Sequence, residues 1–393
     1  MKQITTKIGK SLTVLKKDGF WQGGKNILAY LIKFLKIILT PKSGDILIIS
    51  GGVGDSARYR AIHISEELNL HNLKCANTIQ DDPFLARYAD KFKIFIFHRT
   101  SYSAKVAKLI EAAKKQKKEI IFDTDDLLYD AGYFAMSDYS KQINAMEKAT
   151  FEGGLGSEIV NDEYVKVCTT TTSFLADKLK EKNKQVFVVP NKLSTEDVEI
   201  ADEILKNKII KNSDEIRIGY FSGTLSHNKD FATITDALLE IMEKYPQIKL
   251  ILVGPLDIES KLNKFADRIK QSPYVPRKEH FRNVAGVDIN VSPLEIGNPF
   301  CEGKSELKFF GTGILEVPTV ASATQTFKEA ISDGIDGFVA KNTAEWVEKL
   351  KKLITDKEFR INMGKLARDK AVAKYTNKNS NNEEYYNYLR LKL

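Results

Sequence analysis

Short apolar runs alternate with amphipathic ones along most of this chain. Strands are expected at Ile46–Ser50, Lys93–Phe97, Glu119–Asp123, Val165–Cys168 and Gln185–Val189. A second series is expected at Ile216–Phe221, Lys249–Val253, Asp288–Val291, Thr319–Ala321 and Gly337–Ala340. Between them apolar positions recur with helical spacing, as in Ala104–Lys115 and Phe231–Lys244. Strands that read as continuous apolar runs between helices are covered on both faces, which argues for parallel sheets of βαβ units. The charged stretch from Ser194 to Asp214 interrupts the alternation and marks the expected boundary. This gives an α/β chain with Rossmann-like domains at 45–205 and 206–375, a cleft between them, and ligands beyond the carboxyl ends of the strands. The 393 residues suit two domains of ordinary size.

Residues 1–44 follow a different pattern. From Lys25 to Leu39, Ile27, Leu28, Leu31, Ile32, Phe34, Leu35, Ile38 and Leu39 share one broad helical face, with Ile37 intruding on the other. Lys25, Asn26, Lys33 and Lys36 take that opposite face, and Lys7, Lys10, Lys16, Lys17, Phe20 and Trp21 lie upstream. The run is too short and too charged to span a bilayer. It is well suited to lie in an anionic membrane interface, with a helix packed on the protein itself as the alternative. No cleavable signal peptide is evident.

The formal charge of +8 suits anionic partners. Diphosphates and anionic membrane both qualify, and no nucleic-acid-binding signature is present. Cys75, Cys168 and Cys301 are too few and too scattered for a disulfide framework, and no metal-ligand spacing appears. A reducing, cytoplasmic setting fits.

Two segments carry most of the candidate chemistry. Ile218 to Phe231 reads IGYFSGTLSHNKDF, a strand running into a small-residue loop before a helix. Ser222, Gly223 and Thr224 allow close backbone approach, and His227, Lys229 and Asp230 follow. Such a loop is either an ordinary βα connection or a phosphate site. Lys304 to Ser322 reads KSELKFFGTGILEVPTVAS, a helix that stops before a Pro-led strand. Together with IFDTDDLLYD at Ile121–Asp130 and VVPN at Val188–Asn191, these segments resemble the GT-B glycosyltransferases, in particular the large retaining, nucleotide-sugar-dependent bacterial polysaccharide group.

The resemblance implies a donor half at 206–375 in which Ser222, Gly223, Thr224, His227, Lys229, Asp230, Lys304, Ser305 and Lys308 bind the nucleotide-sugar. It also implies that residues 376–393 form a last helix able to cross back to the first domain. Cations at a helix start would stabilise a departing diphosphate. The alternative for any one lysine is a solvated face. Two departures stand out. Thr224 replaces a common arginine, and counting back from Pro318 puts Gly311 and Gly303 where related enzymes carry a glutamate pair. Glu302, one residue off register, is the candidate substitute.

In the first domain, Gly51-Gly-Val-Gly54 follows the first strand. Gly54, Asp55, Arg58, Tyr59, Arg60 and Arg99 are candidate acceptor-binding residues, with Arg58 and Arg60 as a clamp on an anionic acceptor; helix-surface charge is the alternative. His98 ends a buried-type strand and is a candidate base. Asp125 and Asp126 are candidates for orienting or deprotonating an acceptor hydroxyl, or for capping the next helix. Their DxD form suggests a divalent cation in the GT-A fold, whereas GT-B enzymes generally need none, so neither metal nor other cofactor is expected.

The implied function is hexosyl or deoxyhexosyl transfer from a dTDP-, UDP- or GDP-sugar to a lipid-linked or growing cell-surface glycan. The setting would be peripheral, on the inner face of the cell membrane. The missing glutamate pair keeps open a non-catalytic nucleotide-sugar-binding subunit, and a GT-B sugar-nucleotide epimerase is a further alternative.

Overall fold

A computed structural model of the chain describes residues 21, 24, 27–137, 140, 143, 145, 148, 151, 153–207, 214–223 and 227–393. Lys7, Lys10, Lys16, Lys17, Phe20, Lys25, Asn26 and Thr224, singled out in the sequence, lie outside the described residues.

The chain forms two compact units. One takes the chain up to Asn191 together with Asn382–Leu393, and the other is Lys192–Asn381. Each holds a six-stranded sheet in which every described pairing is parallel. The first sheet contains β1 (Ile46–Ser50), β2 (Cys75–Ile79), β3 (Ile94–His98), β4 (Glu119–Thr124), β5 (Val167–Thr170) and β6 (Gln185–Val188), in the order β2-β1-β3-β4-β5-β6. The second contains β7 (Ile216–Phe221), β8 (Ile248–Val253), β9 (Ile269–Ser272), β10 (Ile289–Ser292), β11 (Thr319–Ser322) and β12 (Phe338–Ala340), in the order β12-β11-β10-β7-β8-β9. The strand order reverses between β1 and β3 in one sheet and between β7 and β10 in the other. Crevices at such reversals receive ligands in doubly wound sheets.

The central strands are fully buried apolar runs, such as β1 and β3. The strands β2 and β9 were not expected from the sequence. Both are edge strands with mixed polar composition, CANTI and IKQS, so no apolar run announces them. β5 begins later than expected and extends through the buried, β-branched Thr169 and Thr170. The single helix expected at Phe231–Lys244 is instead two, Asn228–Ala232 and Thr235–Lys244. Between them Thr233 Oγ1 donates back to the Asp230 carbonyl at 2.7 Å.

The division between units falls before the charged stretch, not within it. Ser194 and Asp197 cap the Thr195–Lys206 helix reciprocally. Asp197 also pairs with Arg277 at 2.8 Å, and Leu193 exchanges backbone hydrogen bonds with Tyr375 and Asn377. These contacts tie the helix to the second unit.

The Glu383–Leu391 helix belongs to the first unit, where Tyr385, Tyr386 and Leu389 are buried beside Ile46, Ile48 and Leu68. The Tyr386 hydroxyl donates to buried Glu67 at 2.5 Å, and its ring stacks on His71 at 4.4 Å. Residues 27–39 are helical and leave Leu28, Leu31, Ile32, Leu35 and Leu39 exposed. Among the described residues no helix is long and apolar enough to cross a membrane.

Tyr386→Phe leaves a buried carboxylate short of one donor. A loss of about 1–3 kcal/mol is expected, read as a lower urea midpoint for the transition that reports on the first unit. An unchanged midpoint would show that the tail helix is held by packing alone.

Candidate active-site clusters

In the second unit the site is built at the carboxyl ends of β7, β8 and β10. Ser222, just after β7, donates its N–H to the Val253 carbonyl at 2.8 Å. A Cβ on Gly254, whose φ is +98°, would meet the Ser222 carbonyl oxygen at 1.9 Å. Only glycine lets the loops after β7 and β8 pack this closely. Gly223 is exposed, and among the described residues a Cβ there would touch nothing within 4 Å.

Asp230 ties this loop to its neighbours. Its Oδ2 lies 2.8 Å from His227 Nδ1. Its Oδ1 accepts the Glu295 N–H at 3.3 Å and the Cys301 thiol at 3.2 Å. Burial disfavours its charge, but the hydrogen bonds from His227 and Cys301 and the Lys308 charge outweigh burial and hold the carboxyl below its ordinary range. Ligand atoms of Asp230, Glu295 and Cys301 fall within 4.8 Å of one another. Burial raises the Cys301 thiol well above its usual range, so it serves as a donor to Asp230.

Lys308, on the Leu307–Gly313 helix, places Nζ 4.3 Å from the Tyr220 ring centroid, and Lys304 Nζ lies 4.5 Å from that of Phe300. Among the described residues, neither lysine makes an ion pair with a carboxylate. Burial lowers the Lys308 ammonium to about 8, with Lys304 adding repulsion and Asp230 opposing the shift. Lys229 is exposed one residue before Asp230. Glu302 has a structural role: its carboxylate accepts the N–H groups of Gly297 at 2.8 Å and Gln325 at 2.7 Å, bracing the Gln325–Ala330 helix.

The first unit places its cluster at the β1/β3 reversal. His98, Asp123 and Thr169 are register partners on β3, β4 and β5, so one rung of the sheet carries all three. His98 Nδ1 lies 2.8 Å from Asp123 Oδ2, and Thr169 Oγ1 donates to Asp123 Oδ1 at 2.6 Å. Arg60 clamps both Asp123 oxygens, with Nε at 3.1 Å from Oδ2 and Nη2 on Oδ1. It also donates to the Val189 carbonyl at 2.6 Å. Burial opposes the Asp123 charge, but Arg60 and the His98 hydrogen bond hold the carboxyl far below the carboxylate range.

Arg60 therefore cannot clamp an acceptor: its side chain is 1% exposed. It sits in a π-helical turn, Arg58–His63, which brings Tyr59, Arg60 and His63 to the buried side. Tyr59 is likewise buried, edge-on to His63. Gly54 and Asp55 are exposed, and half-buried Arg58 lies 3.6 Å from Asp55. Arg99, held at φ 46°, bonds Asp125 Oδ1 at 2.6 Å and also Asp126. Asp126 in turn accepts the Leu128 N–H at 2.9 Å within a turn, while the next helix, Ala131–Met136, is capped by Asp130. Gly51 makes room for this turn, because a Cβ there would meet the Arg99 carbonyl oxygen at 2.0 Å. Ser56 Oγ lies 2.8 Å from His98 Nε2 and 2.9 Å from Asp125 Oδ2.

Ser56, Asp123, Thr169, Tyr220, Glu295 and Cys301 were not singled out from the sequence. Asp123 stood beside Asp125 in a motif already noted, but the others are single polar or aromatic positions without a pattern.

Residues 216–356 match the model of a family described as "Glycosyl transferases group 1". The fold recurs in solved structures. HepE of Anabaena, in complex with UDP and glucose, is 13% identical over 88% of this chain and 100% of its own, with a TM-score of 0.59. Sucrose-phosphate synthase of Thermosynechococcus elongatus is 12% identical over 88% and 99%, with a TM-score of 0.59. A glycosyltransferase from Rickettsia africae is 12% identical over 89% and 99%, with a TM-score of 0.58. No curated protein matches the sequence. The chain has the GT-B fold of these structures, and residues 216–356 of its second unit carry the group 1 match.

A diphosphate facing Lys308 should bind more weakly as pH rises through about 8, because the ammonium loses its proton there. Lys308→Met should bind UDP about 10- to 100-fold more weakly at neutral pH and lack that fall. Calorimetry across this range checks it, and equal affinity on both sides of pH 8 would remove Lys308 from the diphosphate site.

Proposed function

We propose that the protein transfers a hexosyl or deoxyhexosyl group from a dTDP-, UDP- or GDP-sugar to a lipid-linked or growing cell-surface polysaccharide. The observation that carries this reading is the pair Lys304 and Lys308, cations set on aromatic rings without a carboxylate partner among the described residues. Both lie within electrostatic reach of His227, which bonds Asp230 in the same second-unit cluster. An acceptor hydroxyl attacks the anomeric carbon, the bond from that carbon to the diphosphate oxygen breaks, and the lysines neutralise the leaving charge. Cationic side chains take the place of a metal ion in this account, and no other cofactor is invoked. The complex of HepE with UDP and glucose supports the donor class.

The exposed face of helix 27–39 supports a setting on the inner membrane face. Its leucines would enter the interface while Lys33 and Lys36 meet anionic headgroups.

A second reading, a nucleotide-sugar-binding subunit without turnover, is favoured by Gly303 and Gly311. A Cβ on Gly311 would meet nothing within 4 Å, so packing does not require the glycine that stands where related enzymes carry a glutamate.

Transfer assays with the three donor classes and lipid-linked acceptors decide between the two. Turnover that drops about 100-fold in Lys229→Ala, with the fold intact, is the transferase outcome. Saturable donor binding with no transfer to any acceptor is the other. For the membrane, Leu31→Glu with Leu35→Glu should abolish co-sedimentation with anionic vesicles. Equal pelleting of both proteins would refute that part of the proposal.

A further inference from the structure

The Asp230 cluster brings sulfur and carboxylate donors together from three segments of the second unit. Asp230 comes from the Asn228–Ala232 helix, Glu295 from the loop after β10, and Cys301 from the helical turn Pro299–Glu302. One ligand atom of each lies within 4.8 Å of the other two, and among the described residues no other three His, Cys, Asp or Glu side chains meet so closely. Cys301 Sγ is 3.2 Å from Asp230 Oδ1. Bonds of about 2.1 Å to oxygen and about 2.3 Å to sulfur set neighbouring ligands of a tetrahedral zinc ion about 3.5 Å apart. The cluster already approaches that spacing. A separate observation points to a ligand here. The Tyr220 hydroxyl is fully buried and has no hydrogen-bond partner among the described residues. The ionisable side chains within its electrostatic reach are Asp230 and Cys301. Both Asp230 oxygens are already engaged, by His227 on one side and by the Glu295 N–H and Cys301 on the other. An unpaired buried hydroxyl beside such a cluster calls for a further group between them.

We propose that Asp230, Glu295 and Cys301 bind a thiophilic divalent cation of the zinc class, with a water in the fourth position held by the Tyr220 hydroxyl. The cation takes no part in the transfer proposed above, and the site does not rest on that reading. On binding, the Cys301 S–H bond breaks and a sulfur–metal bond forms. The thiolate keeps the electron pair, the proton leaves to solvent, and nothing is oxidised or reduced. His227 Nδ1, 2.8 Å from Asp230 Oδ2, holds that carboxylate with Oδ1 toward Cys301. Asn298 Nδ2 orients Glu295 in the same way, 3.0 Å from Oε2. Such outer partners fix the direction of metal ligands. Glu295 is half-buried and gives the ion a path from solvent. Two carboxylates and a thiolate around a divalent ion leave one negative charge over. The Lys308 ammonium, within electrostatic reach of Asp230, offsets it. Magnesium and calcium are selected against, because both take oxygen ligands and higher coordination numbers.

Cadmium is the probe, since it takes zinc's ligands and reports a thiolate bond by a sulfur-to-metal charge-transfer band in the ultraviolet. Cadmium chloride is titrated into the reduced, metal-free full chain, and zinc or magnesium is then added. One equivalent should saturate the band. Zinc should remove it, and excess magnesium should not. Cys301→Ser should abolish the band, while Cys75→Ser with Cys168→Ser should keep it. Glu295→Gln should weaken cadmium about 10-fold or more, and Tyr220→Phe about 10-fold, with the band retained in both. Circular dichroism checks the fold of each variant, and the Glu295 and Tyr220 variants carry the test should Cys301→Ser fail to fold. Absence of a band in the wild type at millimolar cadmium would overturn the site. So would a band that persists in folded Cys301→Ser, or one lost in the Cys75 and Cys168 double variant. Unchanged affinity in Glu295→Gln would reduce the site to a lone thiol and overturn it equally. Unchanged affinity in Tyr220→Phe would overturn the placement of the bound water.

Discussion

A carboxylate taken out of water must be surrounded by donors, and both candidate clusters are organised by that requirement. Asp123 draws Arg60, His98 and Thr169 onto itself from a helix and two neighbouring strands. Asp230 draws His227, the Glu295 N–H and Cys301 from three chain segments. Removing one partner of a buried charge is far costlier than the pair is stabilising, which makes these arrangements nearly all-or-none. The loops around each aspartate are thereby positioned at the crevice where the strand order reverses.

The two clusters differ in what they leave over. In the first unit the charges close on one another, since Arg60 and Arg99 are both engaged by aspartates. Ser56 joins the same network, donating to Asp125 beside His98. In the second unit Lys304 and Lys308 rest on aromatic rings, and such cation–π contacts stabilise an ammonium without neutralising it. Burial brings Lys308 close to losing its proton against the pull of Asp230, and an arriving diphosphate would add further negative charge beside it. The first unit's charges are thus satisfied among themselves, while the second leaves cations without an ion pair among the described residues.

The α/β class and the two sheets were legible because central strands such as β1 and β3 are unbroken apolar runs. The edge strands β2 and β9 were not, because an edge strand needs no apolar run. The boundary was misplaced because the charges after Ser194 belong to the solvent face of a helix that Arg277 and Tyr375 hold in the second unit. Among site residues, His227 and Lys308 lie within electrostatic reach of Asp230, and Lys304 within reach of His227. Arg60 could not be read correctly, since nothing in the sequence shows that it would be buried against Asp123 from the π-helical turn. Glu302 is near the expected glutamate in sequence but is committed to backbone amides. Ser56 and Thr169 carry no signal in sequence, because their roles depend on strand register and on a contact across many residues.

The central claim is that the second unit holds a nucleoside diphosphate at the β7/β10 reversal. Hydrogen–deuterium exchange of the full chain with and without UDP tests it most directly. The account predicts slower exchange in peptides covering 216–223, 227–232 and 299–313, with little change at 46–63. Protection confined to the first unit, or none anywhere at saturating UDP, would contradict it.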